Sequence, residues 1–423
     1  MTVVETVKRM LFGTQEKRTI TKNTIWLSIA ELITRLSKFA LIVYATRILG
    51  PTGFGQFSFA LSFVMIFTVF ADLGLSQITS REISQNKKGE NEFESVLWLK
   101  FALSFVVLTA VFIISKLTIT DTLVERSILI LSVFMITNSI SDFFFAFFQA
   151  KQKMNYESLA KVIQAFLVVS LGFFLLSQFK SSTSLSISYA LSGSAAAIYI
   201  TILYILKRNK KNKAKISIDI WQKYILMSWP LILTSIFSMI YNDMDSVMMG
   251  YYGQITQVGW YNAAYRVIGV ALLPAFLINR SFAPEINATY SKSMKRFKNI
   301  GKSYLKISFI LALATLTIGI LCASQIIHLI FGPDYLQSVL PFQILMIMAF
   351  LTILIYPLSQ TLIAAHLQKN IFKATLWGAA VNLILNFLLI PKYSLNGAAI
   401  STLIAVGLVF IIQYYFYLKI QEN

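Results

Sequence analysis

Charge is what this chain has least of. Asp, Glu, Lys and Arg make up 13% of its 423 residues, whereas an ordinary soluble domain carries about 25%. With a mean hydropathy of +0.69, no water-facing surface could be built from so little. Cysteine is nearly absent too, and Cys322 alone excludes a disulfide scaffold. Joined only by His328 and His366, it falls short of a His/Cys site of ordinary ligand count, so no metal and no cofactor is expected. No G-x-x-x-x-G-K-[ST] loop is present to cradle a nucleotide, which excludes an ATP-driven pump built in one chain. Neither histidine has a nucleophile in a partnered position, and the connections between apolar runs are short. Chemistry that needs a soluble domain has nowhere to sit, so no catalytic residue and no enzyme is expected.

What is abundant is apolar, at 57% of residues. A helix needs about 20 apolar residues to cross roughly 30 Å of hydrocarbon. Such runs fall near 25–48, 56–80, 95–115, 123–148, 158–178 and 184–206, and again near 224–249, 258–280, 304–330, 339–365, 371–391 and 394–417. The expected fold is an all-α membrane protein of about 12 transmembrane helices.

Net charge is +19, from 37 Lys+Arg against 18 Asp+Glu. In a soluble chain that excess would suggest nucleic acid; here its position along the chain gives another reason. Segments 1–22, 81–94, 149–157, 207–223, 280–306, 366–373 and 418–423 hold 27 Lys/Arg, and the opposite loops hold five. By the positive-inside rule both termini are cytoplasmic, in a multi-pass inner (cytoplasmic) membrane protein, and no nucleic-acid partner is called for. The polar, basic residues 1–22 precede a full span rather than a short h-region, so no cleavable signal peptide is read there.

The chain divides near its middle. A cytoplasmic segment, 1–22, leads into a six-helix bundle over 23–206. A basic linker, 207–223, joins it to a second bundle over 224–417, followed by a tail, 418–423. An even number of spans per half makes the halves a parallel repeat, related by a pseudo-two-fold along the membrane normal. Each half also places glycines and then an aromatic between its first two spans: Gly50-Pro51-Thr52-Gly53-Phe54-Gly55 in one, Gly253 through Gly259-Trp260-Tyr261 in the other.

Several stretches carry a family resemblance. Ala45-Thr46-Arg47-Ile48-Leu49-Gly50-Pro51-Thr52-Gly53-Phe54-Gly55, followed by Ala71-Asp72-Leu73-Gly74-Leu75, resembles the opening of polysaccharide-type, lipid-linked oligosaccharide (O-antigen) flippases. So do Val258-Gly259-Trp260-Tyr261-Asn262-Ala263-Ala264-Tyr265-Arg266, Ile330-Phe331-Gly332-Pro333-Asp334-Tyr335 and Asn396-Gly397-Ala398-Ala399. The resemblance runs through essentially the whole chain in order. That family belongs to the superfamily that also holds multidrug exporters and peptidoglycan-precursor flippases. The resemblance implies a V-shaped pair of six-helix bundles working by alternating access. Undecaprenyl-diphosphate-linked oligosaccharide would move outward through the lipid bilayer for O-antigen, lipopolysaccharide or other surface polysaccharide assembly. A polysaccharide polymerase and a chain-length regulator are the protein partners it implies. Where related chains often carry an acid after Gly-Ala-Ala, this one reads Ala405-Val406-Gly407 and offers no coupling carboxylate there.

Ionisable residues within spans are functional candidates because lipid makes them costly. Glu31, Arg35 and Lys38 share one helix face at i, i+4 and i+7. Arg35 lies roughly 15 Å from the cytoplasmic end, too deep for easy snorkelling. Two cations against one acid suit a desolvated diphosphate; a structural Glu31–Arg35 pair is the competing reading. Arg266 and Lys161 complete the substrate-binding candidates, although Lys161, like Lys100, lies near enough to a cytoplasmic end to snorkel. Asp243 and Asp245, beside Asn242, sit at a depth that suits pairing with Arg266. Together with Glu31, Asp72 and Asp142 they are candidates for ion coupling, to H+ or Na+, or for gating.

Asn382 and Asn386, at i and i+4, are expected to bridge helices rather than bind sugar. Most of the 34 Phe and 19 Tyr are expected at lipid or at the interface. Two other functions compete with the flippase. A cation-coupled multidrug exporter would want an acidic cavity, and in-span charges are even at five cations and five acids. A membrane scaffold for glycosyltransferases would work through its basic loops alone.

Overall fold

The structure, a computed structural model, describes residues 15–85, 87–208, 216–290 and 292–422. Most of the N-terminal segment, residues 1–14, and residues 209–215 of the basic linker lie outside the described residues.

No strand occurs among the described residues. In chain order the helices are α1 (Gln15–Asp72), α2 (Leu75–Gln85), α3 (Lys87–Thr118), α4 (Thr122–Ala150), α5 (Met154–Phe179) and α6 (Ser182–Lys207). There follow α7 (Ile218–Tyr251), α8 (Ile255–Ala271), α9 (Leu273–Tyr290), α10 (Met294–Leu321), α11 (Ala323–Phe331), a 3-10 turn (Pro333–Ser338), α12 (Val339–Ala364) and α13 (Gln368–Glu422). Ten stretches among the described residues are long and apolar enough to cross a membrane. The first contains a break at Gly50 (φ 64°) and the last a break at Ser394 (φ 50°), each separating two spans. Split there, the ten become the twelve expected from hydropathy.

Local chemistry sets the helix starts. Asp121 accepts from the amides of Leu123 (2.8 Å) and Val124 (3.2 Å) ahead of α4. Ser181 caps α6 through the Thr183 amide, and Ser293 caps α10 through that of Arg296. These side chains satisfy amides that no earlier turn can reach. Left-handed turn residues recur at matching places in the span order: Gly50 and Gly253 after the first span of each half, Gln152 and His366 after the fourth, Lys180 and Ser394 after the fifth.

The chain packs as two compact units. One comprises residues up to Ile48 and Phe63–Ser235; the other comprises Leu49–Ser62 and Ile236 onward. The start of the second span is therefore built into the second unit, and the start of α7 into the first. Close approach holds the first of these segments. A Cβ at Gly55 would stand 1.9 Å from the Ile255 carbonyl oxygen, and one at Gly259 would stand 2.0 Å from that of Pro51. Thr52 and Thr256 hydroxyls meet alongside at 2.9 Å. The two glycine motifs read above as a repeat thus pack on each other, backbone to backbone. In the first unit, Trp221 of α7 donates its indole N–H to the Ser95 carbonyl of α3 (2.8 Å).

The first unit's core is aromatic. Phe143-Phe144-Phe145-Ala146-Phe147-Phe148 on α4 is buried along its length, with Phe93 of α3 against Phe143 at 4.7 Å and Tyr204 of α6 against Phe93 at 5.0 Å. This run belongs to the minority of aromatics not expected at lipid or the interface, and it is interior. Helix-on-helix packing consumes aromatic rings wherever three helices converge. Phe105, Phe166, Phe174 and Phe179 do face outward.

Candidate functional site

Each unit contains its own polar centre inside the spans. In the first, α1 presents Glu31, Arg35 and Lys38 on one face. Arg35 Nε donates to Glu31 Oε1 at 2.8 Å, so the pair that was one of two readings of this stripe does form. Lys38 and Lys161 both lie within electrostatic range of Glu31. Lys161 on α5 pairs with Glu157 one turn earlier (2.8 Å), and Gln149 of α4 donates to the other Glu157 oxygen (2.8 Å). The structure thus gathers Arg35, Lys38 and Lys161, three sequence-proposed substrate residues, with two acids. Asp142 also lies within electrostatic range of Lys161, so the three cations stand among three acids.

Deeper in the same unit, Lys100 of α3 is fully buried and pairs with Asp72, which also accepts from Ser76 (2.5 Å). Lys100 does not snorkel. Its ammonium turns inward because a carboxylate on the neighbouring span compensates it better than a long reach to water. Asp142 completes the arrangement, within electrostatic range of Asp72, Lys100, Lys161 and Glu157.

The second unit holds an acid of a different kind. Asp245 on α7 is 3% exposed and is met by neutral donors: the Tyr261 hydroxyl (2.5 Å), the Thr402 hydroxyl (2.7 Å) and the Asn386 amide (2.5 Å). Asn386 thus bridges α13 to α7, and it also donates to Asn382 Oδ1 one turn earlier on its own helix (3.1 Å). Among the described residues neither Asp243 nor Asp245 forms an ion pair with Arg266, contrary to the pairing that depth suggested. Asp243 has Arg266 within electrostatic range and bonds Ser62. The Nε of Arg266 is buried without a hydrogen-bond partner. Equal depth brings two side chains to one level, but the facing of α7 and α8 decides whether they meet. Tyr261 and Thr402 escaped the sequence reading because nothing in a hydroxyl's own spacing marks an acid as its acceptor. Asn382 and Asn386 gave the usable signal.

Comparison with known proteins fits this architecture. The model of the family described as polysaccharide biosynthesis protein matches residues 20–284. A capsular polysaccharide biosynthesis protein, CapF, of Staphylococcus aureus is 23% identical over 94% of this chain and 99% of its own length. A putative O-antigen transporter of Escherichia coli K12 is 21% identical over 92% of this chain and 94% of its own. Among solved structures, the lipid II flippase MurJ in an inward closed conformation superposes with a TM-score of 0.77 at 16% identity. That match covers 93% of this chain and 87% of the other; it is a likeness of fold.

Proposed function

The chain belongs to the polysaccharide biosynthesis protein family, and we propose that it flips undecaprenyl-diphosphate-linked oligosaccharide repeat units from the cytoplasmic to the outer leaflet by alternating access. The product would feed O-antigen or another surface polysaccharide, in concert with a polymerase and a chain-length regulator. Its place in this reading is the inner membrane, with both termini cytoplasmic, which the 27 basic residues on one face against five on the other support. The halves 23–206 and 224–417, joined by 207–223, are the bodies that alternate in this reading.

One observation carries it: Arg35, Lys38 and Lys161, three cations gathered within the spans of a multi-pass membrane protein. A diphosphate leaving water needs charge-assisted donors of this kind, and the forked guanidinium of Arg35 suits it better than an ammonium. Arg266, with its unpartnered Nε, is a second phosphate donor. Energy for the step is available. A potential of 100 mV is worth about 2.3 kcal/mol per charge, so export of a dianion from a negative interior gains roughly 4–5 kcal/mol. Asp245, compensated by dipoles rather than by a cation, is the site at which H+ or Na+ would couple, with Asp243, Asp142 and Asp72 in supporting or gating roles.

The test is export complementation in a flippase-deleted strain supplied with the cognate glycan pathway. Wild type should restore surface polysaccharide, while Arg35→Ala and Lys38→Ala should abolish it at normal protein levels. Arg35→Lys should restore only part. Full export by both alanine variants would remove the site, and drug resistance without export would replace the flippase with a multidrug exporter.

A further inference from the structure

The second unit contains a cavity of about 390 Å³ that none of the charged residues enters. Its walls come from α7, α8, α12 and α13. Its size falls within the roughly 300–1,000 Å³ of small-ligand sites. Seven of its fourteen lining residues carry a hydroxyl or an amide, and none is Asp, Glu, Lys or Arg. A diphosphate would find no cation there, and a cationic drug would find no acid.

The polar groups retain capacity for further bonds. Thr352 donates its hydroxyl to the Met348 carbonyl (2.9 Å) and Thr375 to that of Ile371 (3.1 Å), so each keeps lone pairs to accept with. Asn242 gives one amide hydrogen to the Ser238 carbonyl (2.6 Å), which leaves its second N–H as a donor and Oδ1 as an acceptor. Ser359 donates to Gln413 Oε1 (2.7 Å), which leaves the Gln413 Nε2 as a donor. The phenols of Tyr265 and Tyr356 complete the lining. Donors and acceptors therefore both line the cavity, beside aromatic rings and apolar carbon. That suits a pyranose, whose hydroxyls both donate and accept and whose C–H face packs on aromatic carbon.

We propose that this cavity is a subsite for the uncharged pyranose rings of the glycan, separate from the Arg35, Lys38 and Lys161 group that takes the diphosphate. The inference rests on the flippase reading and deepens it.

Gly269 allows a test without unfolding. It lines the cavity, and a Cβ built on it meets nothing within 4 Å, so Gly269→Leu fills the space while improving helix propensity. Gly407, where the same Cβ meets only a Leu351 methyl at 4.0 Å, is outside the lining and supplies Gly407→Leu as control. Binding to purified full-length protein in detergent would be measured by native mass spectrometry. The probes are bare undecaprenyl diphosphate and a panel of undecaprenyl diphosphates carrying one neutral hexose or N-acetylhexosamine. Wild type and Gly407→Leu should prefer at least one sugar-bearing lipid over the bare lipid by about tenfold, the worth of one or two net hydrogen bonds. Gly269→Leu and Gln413→Leu should lose that preference and keep the bare-lipid affinity.

Retention of the full preference in both variants overturns the subsite, and so does a wild type that prefers no member of the panel over the bare lipid. An equal loss of bare-lipid binding in Gly269→Leu also overturns it, because the cavity would then hold the polyprenyl tail. Failure of wild type to bind any of these lipids overturns the flippase reading itself, a result distinct from the others.

Discussion

Asp245 offers the sharpest separation of a structural role from a functional one. Asp245→Ala removes the acceptor of three donors, but the losses are unequal. Thr402 keeps the Ala398 carbonyl at 3.0 Å and Asn386 keeps Asn382 Oδ1 at 3.1 Å. Tyr261 retains only Thr402, at 3.5 Å. One hydroxyl is therefore stranded and two groups are weakened, which amounts to about 2–4 kcal/mol at 1–3 kcal/mol per unsatisfied group. Asp245→Asn should behave differently. Its amide oxygen still serves Tyr261 and Thr402, and Asn386 can rotate to offer its Oδ1, which has no partner at present, to the new NH2. The variant also removes a buried charge that no cation balances among the described residues. Its stability should stay within about 1 kcal/mol of wild type, or rise. Thermal unfolding of the detergent-solubilised protein, followed by tryptophan fluorescence, checks the order: Ala several degrees below wild type, Asn level with it. Export should fall in both if the carboxylate exchanges a cation. A destabilised Asn variant would refute the hydrogen-bond reasoning, and a stable, fully active one would refute ion coupling at this residue.

Other substitutions probe the remaining features. Gly55→Ala and Gly259→Ala each place a methyl about 2 Å from a carbonyl oxygen, so the two helices must separate, at about 1–3 kcal/mol; an unchanged melting temperature for either would mean the close crossing is not what holds 49–62 in place. Lys100→Met leaves Asp72 without its buried counter-ion and should cost about 3 kcal/mol, the lower end for breaking such a pair because Asp72 is partly exposed. Adding Asp72→Asn should recover most of that loss, and a double variant no better than the single would contradict the pairing account. Glu31→Gln leaves Arg35 without its carboxylate and should tighten binding of undecaprenyl diphosphate several-fold; unchanged affinity in native mass spectrometry would remove Arg35 from the phosphate site.

How much of this was legible beforehand follows the range of each interaction. Span number and helix class depend on runs of about 20 apolar residues, and the twelve spans read from hydropathy reappear, down to the breaks at Gly50 and Ser394. The Glu31–Arg35 contact was legible because i and i+4 share a face whatever surrounds them. Lys161 was assigned to snorkelling although Glu157 stands at the same i−4 spacing and holds it. What escaped needed two helices at once. The turn of Lys100 towards Asp72, the meeting of Asn386 and Thr402 at Asp245, and the uncharged cavity depend on facing, which a single helix's periodicity does not specify.

The two readings of Arg35, ion pair and phosphate ligand, are not rivals. A guanidinium that met a diphosphate from an unpaired state would have to be stored in the spans uncompensated, at a cost of several kcal/mol. One that meets it from a pair with Glu31, 2.8 Å away and on the same helix, only exchanges one carboxylate for one phosphate. The net gain of that exchange is small, and a small gain is what a carrier needs, because substrate held too tightly on one side is not released on the other. In the proposed function nearby Lys38 and Lys161 would set its sign, since the second phosphate charge exceeds what Glu31 alone returns. Asp245 would complete the proposed division of labour: a carboxylate held by dipoles would take up a cation as the Tyr261 and Thr402 hydroxyls and the Asn386 amide turn to accept, while the paired cluster would handle the anion.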